Sequence, residues 1–266
     1  MTDARIVIEA DADAASHAAA VHIARSLAAA VASRGRADWA TTGGSAAPGI
    51  YRLLADDPLR DEIPWADVHV WWGDDRFVPR DHPLSNVKPL DDILLDVADH
   101  EEGTAGPRPD VPLPFANLHP FQCGEAIAAG RDASSVARLL VADLAAAGLA
   151  LADGFPVLDL VLLGVGGDGH ILSVFPGSAA FDATEWALAI PAPTHIEPHV
   201  ARVTMHPSVV RVARDVLVVA TGTGKAAVLG EIFGPTRDER RWPAQIARHQ
   251  RATWILDEAA AGHLPT

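Results

Sequence analysis

Cysteine is almost missing from this chain: Cys123 stands alone among 266 residues. One thiol cannot close an intramolecular disulfide and argues against a cysteine-built zinc site, so the expected setting is reducing and cytoplasmic. Long apolar runs are missing too. None reaches the roughly 18–20 residues that span a bilayer, and the start of the chain lacks a basic segment followed by an apolar one. No membrane partner is expected. Positive charge is scarce, since 21 basic against 35 acidic side chains give a net charge of −14. That field repels polyanions, so nucleic acid is not an expected partner either. Lysine is the rarest cation, present only as Lys88 and Lys225. An anionic metabolite would therefore need a local cluster of cations and backbone N–H groups.

What is present is the composition of a globular α/β protein, 49 % apolar and 21 % charged. Strand-like runs fall at residues 5–9, 39–42, 68–73, 157–164, 187–190, 202–205, 216–221 and 253–256. Helical patterns fall between them, at 14–33 (stopped by Gly35), 86–97, 125–150, 225–233 and 257–263. The run 157–164, VLDLVLLG, suits a parallel strand covered on both faces. The alternation predicts a Rossmann-like, mostly parallel sheet with helices on both faces. A single domain over residues 1–266 is expected, with the Pro/Gly-rich stretch 103–120 as a small surface excursion.

In such sheets ligands bind beyond the carboxyl ends of the strands. Four strands end in loops with chemistry in them. Gly164-Val165-Gly166-Gly167-Asp168-Gly169 formally matches the dinucleotide fingerprint, but Pro176 and Gly177 forbid the long helix that a nucleotide loop must open. No cofactor is expected. The same loop sets His170 beside Asp168, an imidazole suited to proton transfer near neutrality and a carboxylate to orient it. Alone, that pair is as common in turns as in catalytic sites. Gly43-Gly44-Ser45 precedes a helix and reads equally as an anion-binding helix start or a simple cap by Ser45. Thr221-Gly222-Thr223-Gly224-Lys225 lacks the first glycine and the magnesium-binding hydroxyl of an ATP loop, yet suits one phosphate. Asp74-Asp75-Arg76 follows a buried strand, which turns Arg76 from a surface charge into a ligand candidate. His195 and His199 have helical metal-ligand spacing, but Pro191, Pro193 and Pro198 forbid the helix, so they read as a solvated loop. Neither a Gly-x-Ser-x-Gly elbow nor a His-Glu-x-x-His motif occurs, and no metal site is expected.

Taken together these segments resemble the 6-phosphogluconolactonase family. The resemblance is carried by Thr42-Gly43-Gly44-Ser45, by Trp72-Gly73-Asp74-Asp75-Arg76-Phe77-Val78-Pro79 with Ser85-Asn86, and by Leu162 to His170 continuing to Phe175-Pro176-Gly177-Ser178. Arg202-Val203-Thr204, Gly224-Lys225, Pro243-Ala244-Gln245 and Asp257-Glu258-Ala259-Ala260 follow in the same order. Departures are Ala46 and Ala47 after Ser45, Asp75 where glutamate is usual, Ile171-Leu172 after the histidine, and Thr194 to Pro198 without Lys or Arg. Glucosamine-6-phosphate deaminases share the Asp-Gly-His block but place a glutamate where this chain has Phe175. The resemblance implies a small phosphorylated lactone as substrate, with His170 and Asp168 catalytic. It also implies a phosphate site from Arg76, Arg202, Lys225 and Gly43, Gly44 and Ser45, with Asp74 alongside. Monomer and dimer are both compatible with the sequence.

Overall fold

A computed structural model describes residues 4–95 and 111–265. Their strands are β1 (Arg5–Glu9), β2 (Ala37–Thr41), β3 (Val68–Trp72), β4 (Asp74–Arg76), β5 (Leu118–His119), β6 (Leu151–Ala152), β7 (Phe155–Pro156), β8 (Leu160–Leu163), β9 (Ala187–Ile190), β10 (Arg202–Met205), β11 (Asp215–Ala220) and β12 (Ala252–Asp257). Seven of them form one sheet in the order β1-β12-β11-β8-β2-β3-β5, with every neighbouring pair parallel. The central strands β2 and β8 bury every residue. Successive side chains point to opposite faces of a strand, so a strand buried throughout is covered on both sides. Trp39, Trp71, Trp72 and Trp254 fill the core without exposure.

The strand order places the cleft. From β2 the chain builds outward through β3 to β5, then returns to β8 and builds the other way through β11 and β12. The switch point therefore lies between β2 and β8. Their pairing covers only Trp39 with Leu160 and Ala40 with Val161, so beyond it the two carboxyl ends part. Ligand sites of open α/β sheets form at such points.

The helix after β1, α1 (Ala12–Arg34), begins where the Asp11 carboxylate accepts the Ala14 N–H at 2.8 Å. It stops at Gly35, whose φ of 75° suits glycine and whose N–H bonds Val31. Five alanines (15, 19, 20, 24 and 30), with Ile23 and Leu27, line its buried face. These small side chains let α1 pack closely against β12 and against the next helix, α2 (Ala47–Ala55).

The structure also redraws several expectations. β9 and β10 do not join the parallel sheet. They pair antiparallel with each other and with β4, in the order β4-β10-β9. Residues 74–76, read as a loop, are thus an edge strand reached from β3 through Gly73 alone. Gly73 stitches the two sheets, donating its N–H to Thr41 at 2.9 Å and accepting from the Met205 N–H at 2.8 Å. The helix expected over 125–150 is two helices, Cys123–Ala128 and Ala133–Ala146. Gly130 takes a left-handed φ of 65° between them, and Asp132 caps the second. The helix expected over 86–97 begins only at Lys88, leaving Asn86 free of it, and its final residues lie outside those described. Of the excursion at 103–120, residues 103–110 lie outside the described part. The rest is integral, since Val111 and Leu113 are fully buried and β5 closes the sheet edge.

Candidate active site

The loop after β8 turns tightly on itself: the Gly166 N–H bonds the His170 carbonyl at 2.8 Å and the Gly169 N–H bonds Gly166 at 3.0 Å. No long helix follows, as the prolines and glycines foretell, but a short 3-10 turn at Ala179–Asp182. Within the turn the Asp168 Oδ1 sits 2.5 Å from His170 Nδ1 and also accepts the His170 backbone N–H at 3.2 Å. A carboxylate only accepts, so in the neutral ring this contact assigns the proton to Nδ1 and leaves Nε2 as the acceptor. Burial alone would push the Asp168 carboxyl up, but hydrogen bonds and charge from His170, with a second hydrogen bond from His195, hold it well below the usual carboxylate range. The closeness depends on a missing methyl. A Cβ on Gly166 would lie 2.0 Å from His170 Nδ1 and 2.7 Å from Asp168 Oδ1.

His170 faces a cavity of about 170 Å³ at the switch point, small beside the 300–1,000 Å³ of drug-sized pockets and suited to one sugar ring. Gly43, Gly44, Ser45, Asp74, Arg76, Arg202 and Lys225 line the same cavity. The structure thus brings together every residue expected at the site; Asp168 alone stands behind, against His170 rather than in the wall. Ser45 does not cap α2. The cap position belongs to Ala46, with no side-chain bond, so the leading N–H groups of this helix stay free of the serine.

The cations are arranged by the small antiparallel sheet. Arg76 on β4 and Arg202 on β10 are direct cross-strand partners. Arg76 Nη1 donates to the Leu84 carbonyl at 2.9 Å and to Asn86 Oδ1 at 2.7 Å, and Arg202 Nη2 donates to the Pro198 carbonyl at 3.0 Å. Among the described residues neither guanidinium bonds a carboxylate, and the Nε of each is buried without a partner. Burial and the charge of Arg76 pull Arg202 below its usual value, against the opposing pull of Asp74 and Asp75. Two half-satisfied guanidiniums side by side are costly unless an anion completes them. Lys225 follows Gly222, whose N–H is held by both oxygens of Asp257 at 2.9 Å. Burial lowers the Lys225 ammonium, partly offset by Asp168.

Several supporting contacts escape the sequence. Asn86 is fixed by donating to the Asp74 carbonyl at 2.8 Å while its own N–H reaches Asp75 Oδ1 at 2.6 Å. Asp74 is buried and takes Ser173 Oγ at 2.5 Å, so it braces the wall as well as lining it. His195 lies on an exposed loop without a helix, as expected, but its ring is engaged there: its Nε2 lies 2.9 Å from Asp168 Oδ2. Such contacts join positions far apart in the chain, and no local pattern announces them. Among the described residues no group of three or more His, Cys, Asp or Glu side chains could hold a metal ion, and no helix is long and apolar enough to cross a membrane.

The fold and this cleft define an α/β protein that pairs an imidazole–carboxylate couple with a cation cluster at the switch point of a parallel sheet. The sequence pattern of the family described as glucosamine-6-phosphate isomerases/6-phosphogluconolactonase matches residues 10–255, and the chain belongs to that family. It is 33 % identical over 264 residues to a 6-phosphogluconolactonase of Streptomyces coelicolor, covering 98 % of this chain and 95 % of that one. It is likewise 33 % identical over 236 residues to one from Synechocystis, covering 88 % of each. The solved 6-phosphogluconolactonase of Trypanosoma cruzi superimposes with a TM-score of 0.82 at 27 % identity, covering 100 % of this chain and 98 % of that one.

Proposed function

We propose that the protein hydrolyses 6-phospho-D-glucono-1,5-lactone to 6-phospho-D-gluconate, a step of the oxidative pentose phosphate pathway, with His170 as general base and no metal ion. One observation carries the reading. A histidine whose Nδ1 meets a carboxylate shares one small cavity with a half-buried arginine and a buried one, Arg76 and Arg202, whose Nε atoms have no partner among the described residues. The names of the relatives point the same way.

In this mechanism the phosphate fills the gap between Arg76 and Arg202, with Lys225 and the N–H groups of Gly43, Gly44 and Ser45 around it. The lactone carbonyl then lies near His170. His170 Nε2 takes a proton from water, and the oxygen of that water attacks the carbonyl carbon. Backbone N–H groups of the glycine loops receive the oxyanion. When the tetrahedral intermediate collapses, the carbon–ring-oxygen bond breaks and His170 returns the proton to the departing oxygen. Asp168 holds the imidazole and stabilises its charged form. A lactone is already an activated ester, so one base and accurate placement suffice without a Lewis acid. The ring packed against His170 is that of Phe175, 4.8 Å away, which offers no acid or base for an amino-sugar reaction.

The test is opening of enzymatically generated 6-phosphogluconolactone by wild type and by His170→Ala, each corrected for spontaneous hydrolysis. Wild type is expected to accelerate opening, and the variant to lose at least about 100-fold in kcat. Equal rates in both would remove His170 from the chemistry.

A further inference from the structure

Asp168 serves two histidines, and the second lies outside the cavity. Oδ1 is committed to His170, through both its ring and its backbone, while Oδ2 meets His195 Nε2 at 2.9 Å. An aspartate carboxylate turns easily about its last torsion, where the energy wells are broad. Held by one oxygen, it could rotate and loosen its grip on the imidazole. Held by both, its plane is fixed.

His195 is itself held in place. Its ring stands edge-on to Phe175, with centroids 5.5 Å apart and planes at 88°. The same phenyl ring packs on His170 at 4.8 Å and lies 5.9 Å from the Arg202 guanidinium. Phe175 is buried, so both imidazoles pack against one buried ring. The strap carrying His195 is anchored again three residues later, where the Pro198 carbonyl accepts from Arg202. The side chain of His195 remains half exposed, 50 %, and it is absent from the cavity lining. Its contacts with the site run through Asp168 and Phe175.

We propose that His195 is a positioning residue: by holding the second oxygen of Asp168 it keeps His170 in the one tautomer that presents a bare Nε2 to the cavity. Its catalytic consequence rests on the reading of His170 as general base; the tautomer itself does not.

The experiment therefore reads both. Wild type, His195→Ala and His195→Gln, whose amide N–H replaces that of the ring, are compared by ¹⁵N chemical shifts of the neutral His170 ring without substrate. Their kcat and KM on 6-phosphogluconolactone are measured in parallel. Wild type and His195→Gln are expected to show the Nδ1–H pattern, and His195→Ala a mixture of tautomers. In His195→Ala kcat should fall about three- to tenfold with KM unchanged, and His195→Gln should recover most of the loss. A single Nδ1–H tautomer in His195→Ala, or equal loss in both variants, would overturn the proposal. A wild type without lactonase activity would instead defeat the reading of His170, and the nitrogen shifts alone would then decide the role of His195.

Discussion

Gly43 lies against Asn86 so closely that a methyl on its Cα would sit 2.0 Å from the amide oxygen that holds Arg76. The backbone of one strand-end loop thus shapes the guanidinium of another. Gly43→Ala is expected to push Asn86 aside, free Arg76 from its alignment and raise KM about tenfold, with a smaller change in kcat. Steady-state kinetics check this, and a variant with wild-type KM would show that Asn86 does not set the arginine.

Gly166→Ala should give the opposite kinetic signature. Its Cβ would collide with His170 Nδ1 and Asp168 Oδ1 instead of the cation cluster. Loss is expected in kcat, approaching that of His170→Ala, while KM stays within about threefold of wild type. Each variant adds a single methyl, so the contrast tests whether anchoring and chemistry occupy separate walls.

The paired arginines predict a dependence on the phosphate itself. Arg202→Ala should raise KM for the phosphorylated lactone about 10- to 100-fold, the scale of charge-assisted hydrogen bonds worth about 1.5–3 kcal/mol. Turnover of the same lactone without its phosphate should be unaffected. Equal damage to both substrates would mean that Arg202 supports the fold of the site and not the anion.

Two groups, the half-buried His119 and the buried Asp75, set opposing pH dependences of stability. His119 stacks on Trp71 at 3.9 Å, and burial, with the charges of His69 and Arg36, lowers it from 6.5 to about 4 against the pull of Asp38. The folded state then binds fewer protons than the unfolded chain, so stability is lost as pH falls through this window. Asp75 is the reverse. Burial raises it from 3.8 to about 7, against hydrogen bonds from Asn86, Arg76 and Ser85 and with the charge of Asp74. The folded state keeps a proton that the unfolded chain has released, so stability is lost as pH rises from about 4 to about 7. Relative to wild type, Asp75→Asn should make stability climb more steeply with pH across that range, and His119→Gln should make it climb less. Urea unfolding at about pH 4.5 and about pH 6.5 checks both, with effects on the order of 1–2 kcal/mol after solvent screening is allowed for. Slopes unchanged in both variants would disconnect these groups from acid stability.

Much of this was legible in residue order. Residues 5–9, 187–190 and 202–205 are strands within the bounds that apolar runs suggest, and the loops after β2, β8 and β11 converge as strand-end loops of a parallel sheet should. Local patterns fix local structure, and a parallel topology carries its loops to one end. What local pattern does not contain is pairing. Asp74, Asp75 and Arg76 read as a charged loop because strand character there comes from β10, more than a hundred residues away. Gly130 and Asp132 do carry the signature of a stop and a new cap, but the surrounding alanines mask it. His195 has no local signal at all: its partner at Asp168 is found only once the strap has folded back.

The single-residue hinge at Gly73 has a meaning beyond geometry. Because the arginines ride on the small sheet and the histidine on the large one, inheritance can treat them as separate parts. A change confined to the turn after β8 would alter the proposed chemistry while leaving in place the two arginines of the proposed anion site. A family whose description spans both isomerases and lactonases is what such a division of labour would leave behind.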